Sequence, residues 1–352
     1  LLPVGANSIS ATYSGDGAYA RSTGTTSLTV TRAASSMSLS VASASVAFGS
    51  PLALTAIVLP AGATGSVSFT ANGSALGSCT LSAVDASSAT CTTSRTDISA
   101  GSRTIAATYA GDGNYLGSTT SAAASVSQAV SSASVAVVGS STSTYGQVVT
   151  VRTTVTSPTA TPTGTVTILD GTTGIGSCTL VAGRCDVTSG SLTIGSRTVG
   201  ATYAGDANHL GATAAPVTQQ VDLGATTTTL TSNVNPSVYR QTVRYTILVE
   251  STTGIPTGSV TVFAGGSSIG SCTLTAGSCS VTDGSRAVGT HEITAVYAGS
   301  TNYRTSTSSA YSQVVVPAPA GATVTATPGS STWGQSVRLR VVVAPSTPRS
   351  AS

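Results

Sequence analysis

Apolar and polar residues alternate along this chain with a period of two. Ser134-Val-Ala-Val-Val138 predicts a first strand, and Val148-Val-Thr-Val-Arg-Thr-Thr-Val155 a second. Pro158 and Pro162 interrupt the chain before a third strand, Thr165-Val-Thr-Ile-Leu169, which ends at the turn signal Asp170-Gly171. Ile175 to Leu180, Cys185 to Thr188, Thr198 to Tyr203 and Ala214 to Val221 complete about seven short strands, with turn residues every 8–12 positions. That is the pattern of a seven-stranded antiparallel sandwich. Helix formers are scarce, while β-branched residues and glycine abound. A Ser/Thr/Gly-rich chain invites a disordered reading, but regular apolar alternation supplies a core.

The same strand pattern repeats. Tyr13-Ser-Gly-Asp16-Gly-Ala-Tyr19 returns as Tyr109-Ala-Gly-Asp112-Gly-Asn-Tyr115, as Tyr203-Ala-Gly-Asp206-Ala-Asn-His209, and as Tyr297-Ala-Gly-Ser300-Thr-Asn-Tyr303. The copies lie 96, 94 and 94 residues apart, so the period is a whole domain. The expected organisation is all-β, with three complete modules at 33–128, 129–222 and 223–316. Residues 1–32 match the last two strands of a module, and 317–352 its first two.

Within each copy the phrase reads as a turn between the last two strands. Gly supplies backbone freedom, Asp16, Asp112 and Asp206 accept backbone N–H groups, and Tyr13, Tyr109, Tyr203 and Tyr297 pack inward. The second aromatic, Tyr115 or Tyr303, is expected to cover the exit of its own turn.

Three further motifs recur. Tyr145-Gly-Gln147 precedes the second strand, Pro162-Thr-Gly-Thr-Val166 opens the middle, and Gly195-Ser-Arg-Thr-Val-Gly-Ala-Thr-Tyr-Ala-Gly-Asp206 closes the module. The next repeat has Tyr239-Arg-Gln241, Pro256-Thr-Gly-Ser-Val260 and Gly289 to Gly299; the earlier one departs, with Phe48-Gly49 and Ala63-Thr-Gly-Ser-Val67. Trp333-Gly-Gln335 is a fourth start signature. In these motifs each repeat resembles a bacterial immunoglobulin-like domain of the group 3 type. The resemblance covers essentially the whole chain. It implies tandem Ig-like sandwiches in secreted or surface proteins, acting as spacers, stalks or adhesive rods, and no catalytic residues.

Composition narrows the chemistry. Only 7% of residues are charged, and all 14 basic residues are arginine. Lysine Schiff-base chemistry, a phosphate-loop lysine and lysine isopeptide cross-links are thereby excluded. The net charge of +3 is dispersed, without the basic stripe that nucleic acid requires. There is no run of 18 apolar residues to span a membrane as a helix.

The six cysteines fall one pair per complete module, Cys79/Cys91, Cys178/Cys185 and Cys272/Cys279. The last two pairs flank an Ala-Gly step that reads as a hairpin turn, which brings the thiols within disulfide reach. Metal binding is the competing reading. It needs four ligands, and a module offers two cysteines and at most one histidine. Disulfides place the protein outside the cytoplasm.

Other candidates have plain readings. Calcium would need six to eight oxygens; three of the turns offer one carboxylate each, and the fourth has Ser300 there. His209 and His291 lie in different modules, with no obvious acid or nucleophile partner in the sequence, and read as packing or surface residues. Asn72-Gly-Ser74 is a glycosylation sequon on a turn. No cofactor is expected.

The chain is therefore expected to be a non-catalytic extracellular structural protein, a semi-rigid rod serving as surface stalk, adhesin shaft or filament subunit. Its expected partners are copies of itself, joined head to tail by strand complementation or laterally, or a cell-surface glycan or protein. The alternatives are a ligand- or glycan-binding adhesin and an accessory region of a secreted enzyme.

Overall fold

The structure is a computed structural model that describes residues 1–43 and 45–345, so the fragment expected at 317–352 lies outside the described residues from 346 onward. The chain divides into two compact units. One comprises Leu1–Ala136, Val151–Val187 and Val199–Val217; the other comprises Val137–Thr150, Thr188–Thr198 and Thr218–Ser352.

The first unit opens with an antiparallel hairpin, β1 (Gly5–Tyr13) and β2 (Ser22–Val30), registered from Gly5↔Val30 to Tyr13↔Ser22. A complete sandwich follows. Its strands are β3 (Ser36–Val41), β4 (Ser45–Ala47), β5 (Leu52–Leu59), β6 (Ser66–Ala71), β7 (Ser74–Thr80), β8 (Ser82–Ala83), β9 (Ala89–Arg95), β10 (Gly101–Gly111) and β11 (Leu116–Ser127). One sheet runs β3-β5-β9-β8 and the other β4-β11-β10-β6-β7. Alternation builds the core: Leu52, Leu54, Ala56 and Val58 point inward from β5, Val67 and Phe69 from β6, and Ile105, Ala107 and Tyr109 from β10. Each large apolar side chain so buried contributes about 1.5–3 kcal/mol.

The second unit contains a sandwich of the same plan. Thr227–Ser232, Val243–Glu250 and Ser278–Asp283 form one sheet. The main path of the other runs Ser237–Val238, Tyr311–Val316, Gly289–Tyr297, Ser259–Ala264 and Ser267–Thr273. Tyr245, Ile247, Val260, Val262, Ile293, Ala295 and Tyr297 fill its core at essentially zero exposure. A hairpin, Ala320–Thr327 with Arg338–Pro345, follows.

Two details differ from the sequence-based expectation. The sandwich is not wholly antiparallel. β4 pairs parallel to β11, Val46 opposite Val126, and Ser237–Val238 pairs parallel to the end of Tyr311–Val316. The chain leaves one sheet after β3 and joins the other for two or three residues, too few for alternation to reveal.

The cysteine strands are the second difference. Ala276 and Gly277 adopt φ of 51° and 78°, the left-handed pair of a two-residue turn, and Ala182 and Gly183 adopt 50° and 74°. The turn is as expected, but the strands it joins part into opposite sheets. Cys272 and Cys279 therefore fasten one layer to the other, with Cα atoms 5.9 Å apart; Cys79 on β7 and Cys91 on β9 do the same at 5.6 Å. Cys178 and Cys185 are bridged as well, at 5.9 Å.

Candidate functional site

The Gly-Asp turn is built around its carboxylate. Asp16 Oδ1 accepts from the backbone N–H of Ala18 and Tyr19, at 2.9 and 2.8 Å. Asp112 Oδ1 accepts from Asn114 and Tyr115 (2.8 and 2.9 Å), and Asp206 Oδ1 from Asn208 and His209 (2.7 and 2.8 Å). Glycine is required beside it. At Gly205, φ +87°, a Cβ would lie 2.8 Å from the His209 carbonyl.

The second carboxylate oxygen reaches further. Asp112 Oδ2 accepts from the backbone and hydroxyl of Thr64, at 2.8 and 2.9 Å. Asp206 Oδ2 takes the same two donors from Thr163, at 2.9 and 2.7 Å. Burial opposes ionisation of Asp112 and Asp206, but these hydrogen bonds outweigh it and hold both carboxyls well below the usual carboxylate range. Ser300 replaces the carboxylate in the third complete repeat and accepts from Asn302 N–H at 3.3 Å. The preceding tyrosines anchor the same loop: Tyr203 donates to the Thr163 carbonyl and Tyr297 to that of Thr257, both at 2.6 Å. Burial, then the charge of Asp206, pushes the Tyr203 phenol up to about 12. Tyr13 sits on the exposed β1 hairpin instead.

The aromatic after the turn packs into its own module and also reaches the preceding one: Tyr303 belongs to the core of its own sandwich, and Tyr115 packs against the core of its own. His209, 2% exposed, packs edge-on against Phe48, a residue of the preceding repeat, with ring centroids 5.5 Å apart and planes at 84°. Tyr303 meets Tyr145 of its preceding repeat in the same way, at 5.7 Å and 83°. The His209 ring donates from Nδ1 to Asp206, at 2.9 and 3.0 Å, so its own turn fixes its orientation. The partner ring comes from the Phe48-Gly49 or Tyr145-Gly146 step. The sequence repeats that step but gives no sign of what faces it.

Main-chain bonds close the same joints. Phe48 donates to the Ser127 carbonyl, which ends one repeat; two residues later Ala129 donates to the Asn208 carbonyl and accepts from Leu210 N–H, both in the next repeat. Gln128, between them, donates its side chain to the Asp206 carbonyl at 2.8 Å. Ala100 N–H adds a bond to Asn208 Oδ1 at 2.9 Å, and Thr159 donates its hydroxyl to the Phe48 carbonyl at 2.5 Å. The next joint repeats the scheme: Tyr145 donates to Asp222, then Gly224 donates to Asn302 and accepts from Arg304. A single residue, Gln128 or Leu223, separates the last bond of one repeat from the first bond of the next.

The remaining candidates stand apart from the joints. Asn72, exposed at φ 45°, turns the chain between β6 and β7, and its Oδ1 accepts from Thr104 N–H at 2.8 Å. His291 bonds the Ala287 carbonyl at 2.7 Å. Among the described residues no cluster of three His, Cys, Asp or Glu side chains could hold a metal ion, and no helix is long and apolar enough to cross a membrane.

Paired sheets, a recurring disulfide between layers and a repeated joint define a tandem Ig-like β-sandwich protein. Residues 39–130, 136–222 and 230–316 each match the bacterial Ig-like domain (group 3) family, and the chain belongs to it. Among solved structures it is similar to the tetra-tandem repeat in the extending region of a large adhesion protein. That match has 17% identity over 89% of this chain and 82% of the other, with a TM-score of 0.43. It is also similar to a Ca2+-stabilised ice-binding adhesin of an Antarctic bacterium (16% identity, 88% and 82% coverage, TM-score 0.25). The fibronectin(III)-like modules of Clostridium thermocellum CbhA are a third relative in fold (17%, 52% and 94%, TM-score 0.23). None of the curated proteins compared matches the chain.

Proposed function

We propose that this chain is a non-catalytic extracellular spacer, a semi-rigid rod of Ig-like modules at 33–128, 129–222 and 223–316 that forms the shaft of a surface stalk or adhesin. The observation that carries the reading is the double-sided closure of the joints. With Ser127 bonded on one side and Ala129 on the other, only Gln128 is left to bend, and the Phe48–His209 contact braces it. A flexible tether would show an open linker of several residues. Disulfides in every complete module suit an oxidising exterior. In this reading the partners are further copies of the shaft or a cell-surface ligand reached at its tip.

Small-angle scattering of the purified chain tests the proposal. A rod gives a cross-sectional scattering regime and a narrow distribution of maximum dimension. A profile fitted only by an ensemble of freely jointed modules would sink it.

A further inference from the structure

The Phe48-Gly49 step has four counterparts in the chain's own repeats, counting itself: Phe48-Gly49, Tyr145-Gly146, Tyr239-Arg240 and Trp333-Gly334. Their alignment is fixed by structure as well as sequence. Phe48, Tyr145 and Tyr239 each donate to the last strand of their module, at Ser127, Asp222 and Val316. One member of the series departs from glycine.

The glycine has a purpose in the two joints observed. Gly49 sits at φ +81° against the following module, and a Cβ there would lie 2.8 Å from both the Thr159 carbonyl oxygen and its side chain. Gly146, at φ +77°, is pressed against the Thr253 carbonyl in the same way. A backbone oxygen cannot rotate aside, so the joint closes only where no side chain is present.

Arg240 holds the same left-handed conformation, φ 68°, with a full side chain. Its guanidinium lies over the Tyr239 ring, 5.4 Å from the centroid. The guanidinium thus lies on the ring that corresponds to those meeting His209 and Tyr303 in the other joints.

We infer that Arg240 closes the far end of the third module to the docked joint, so that the chain articulates immediately after Val316. The array then has two kinds of connection, stiff where glycine follows the aromatic and hinged where arginine does. The inference rests on reading the glycine joints as stiffening elements.

The test lengthens the full chain by repeating residues 223–316 directly after Val316, which brings an added module against Arg240. Spin labels on unnatural side chains avoid the cysteines, all of which are bridged. Pulsed-EPR distances are read across the new junction and across the Asp222–Gly224 joint. The expected result is a distribution several-fold broader at the new junction, narrowed to match the other by Arg240→Gly. The converse variant, Gly146→Arg in the unlengthened chain, is expected to broaden the Asp222–Gly224 joint. A narrow distribution with Arg240 in place, or a broad one that survives Arg240→Gly, overturns the inference. A broad distribution at the unmodified Asp222–Gly224 joint would instead overturn the stiff-joint reading beneath it.

Discussion

His209 and Phe48 stand 5.5 Å apart, edge to face, although most of two modules separates them in sequence. The contact ties the turn of one repeat to the start signature of the repeat before it. Tyr303 and Tyr145 repeat it at the next joint.

Removing the contact should loosen a joint without unfolding a module. An edge-to-face pair contributes about 0.5–1.5 kcal/mol beyond its buried area. Phe48→Ser is expected to broaden the inter-label distance across residues 127–129. His209→Tyr, which copies the sister joint, should keep it narrow. Equal broadening in both variants would show that the ring pair does not brace the joint.

Acid should weaken the turns that use aspartate. The folded-state pKa values of Asp112 and Asp206 are depressed, so their stabilisation is fully present above the ordinary carboxylate pKa near 4 and is lost as pH falls below it. Amide-exchange protection at Tyr115 and His209 should drop in that window, whereas Asn302, bonded to Ser300, should keep its protection. A common acid response at all three positions would count against the carboxylate as its cause.

The layer-to-layer disulfides should matter to every module that carries one. Closing loops of this length stabilises by about 2–3 kcal/mol in the chain-entropy view. Replacing Cys272 and Cys279 with alanine should lower the third module's denaturation midpoint accordingly and leave the first module's midpoint unchanged. A concerted shift of both would mean the modules unfold as one body.

Tyr297→Phe removes the 2.6 Å bond to the Thr257 carbonyl while keeping the ring in the core. The expected loss is about 0.5–1.5 kcal/mol, measured by urea unfolding of the third module. No loss would mean that water replaces the hydroxyl at that carbonyl.

The sequence by itself determined the sandwich, the module period, the inward face of most strands, the Asp turn and the partner of each cysteine. Those features are local. Alternation of period two, Gly-Asp and Ala-Gly steps and cysteines seven or twelve residues apart all act within one or two strands. Tertiary structure alone decided where the aromatic after the turn would face, that each disulfide would cross between layers, and that a two- or three-residue strand would pair parallel. Tyr303 sits in the core of its own module, and nothing in the sequence signals that the same ring also meets Tyr145 of the preceding one. Arg240 shows the same limit. In the sequence it replaces one glycine among many, and only the Thr159 carbonyl pressed against Gly49 reveals what that glycine is for.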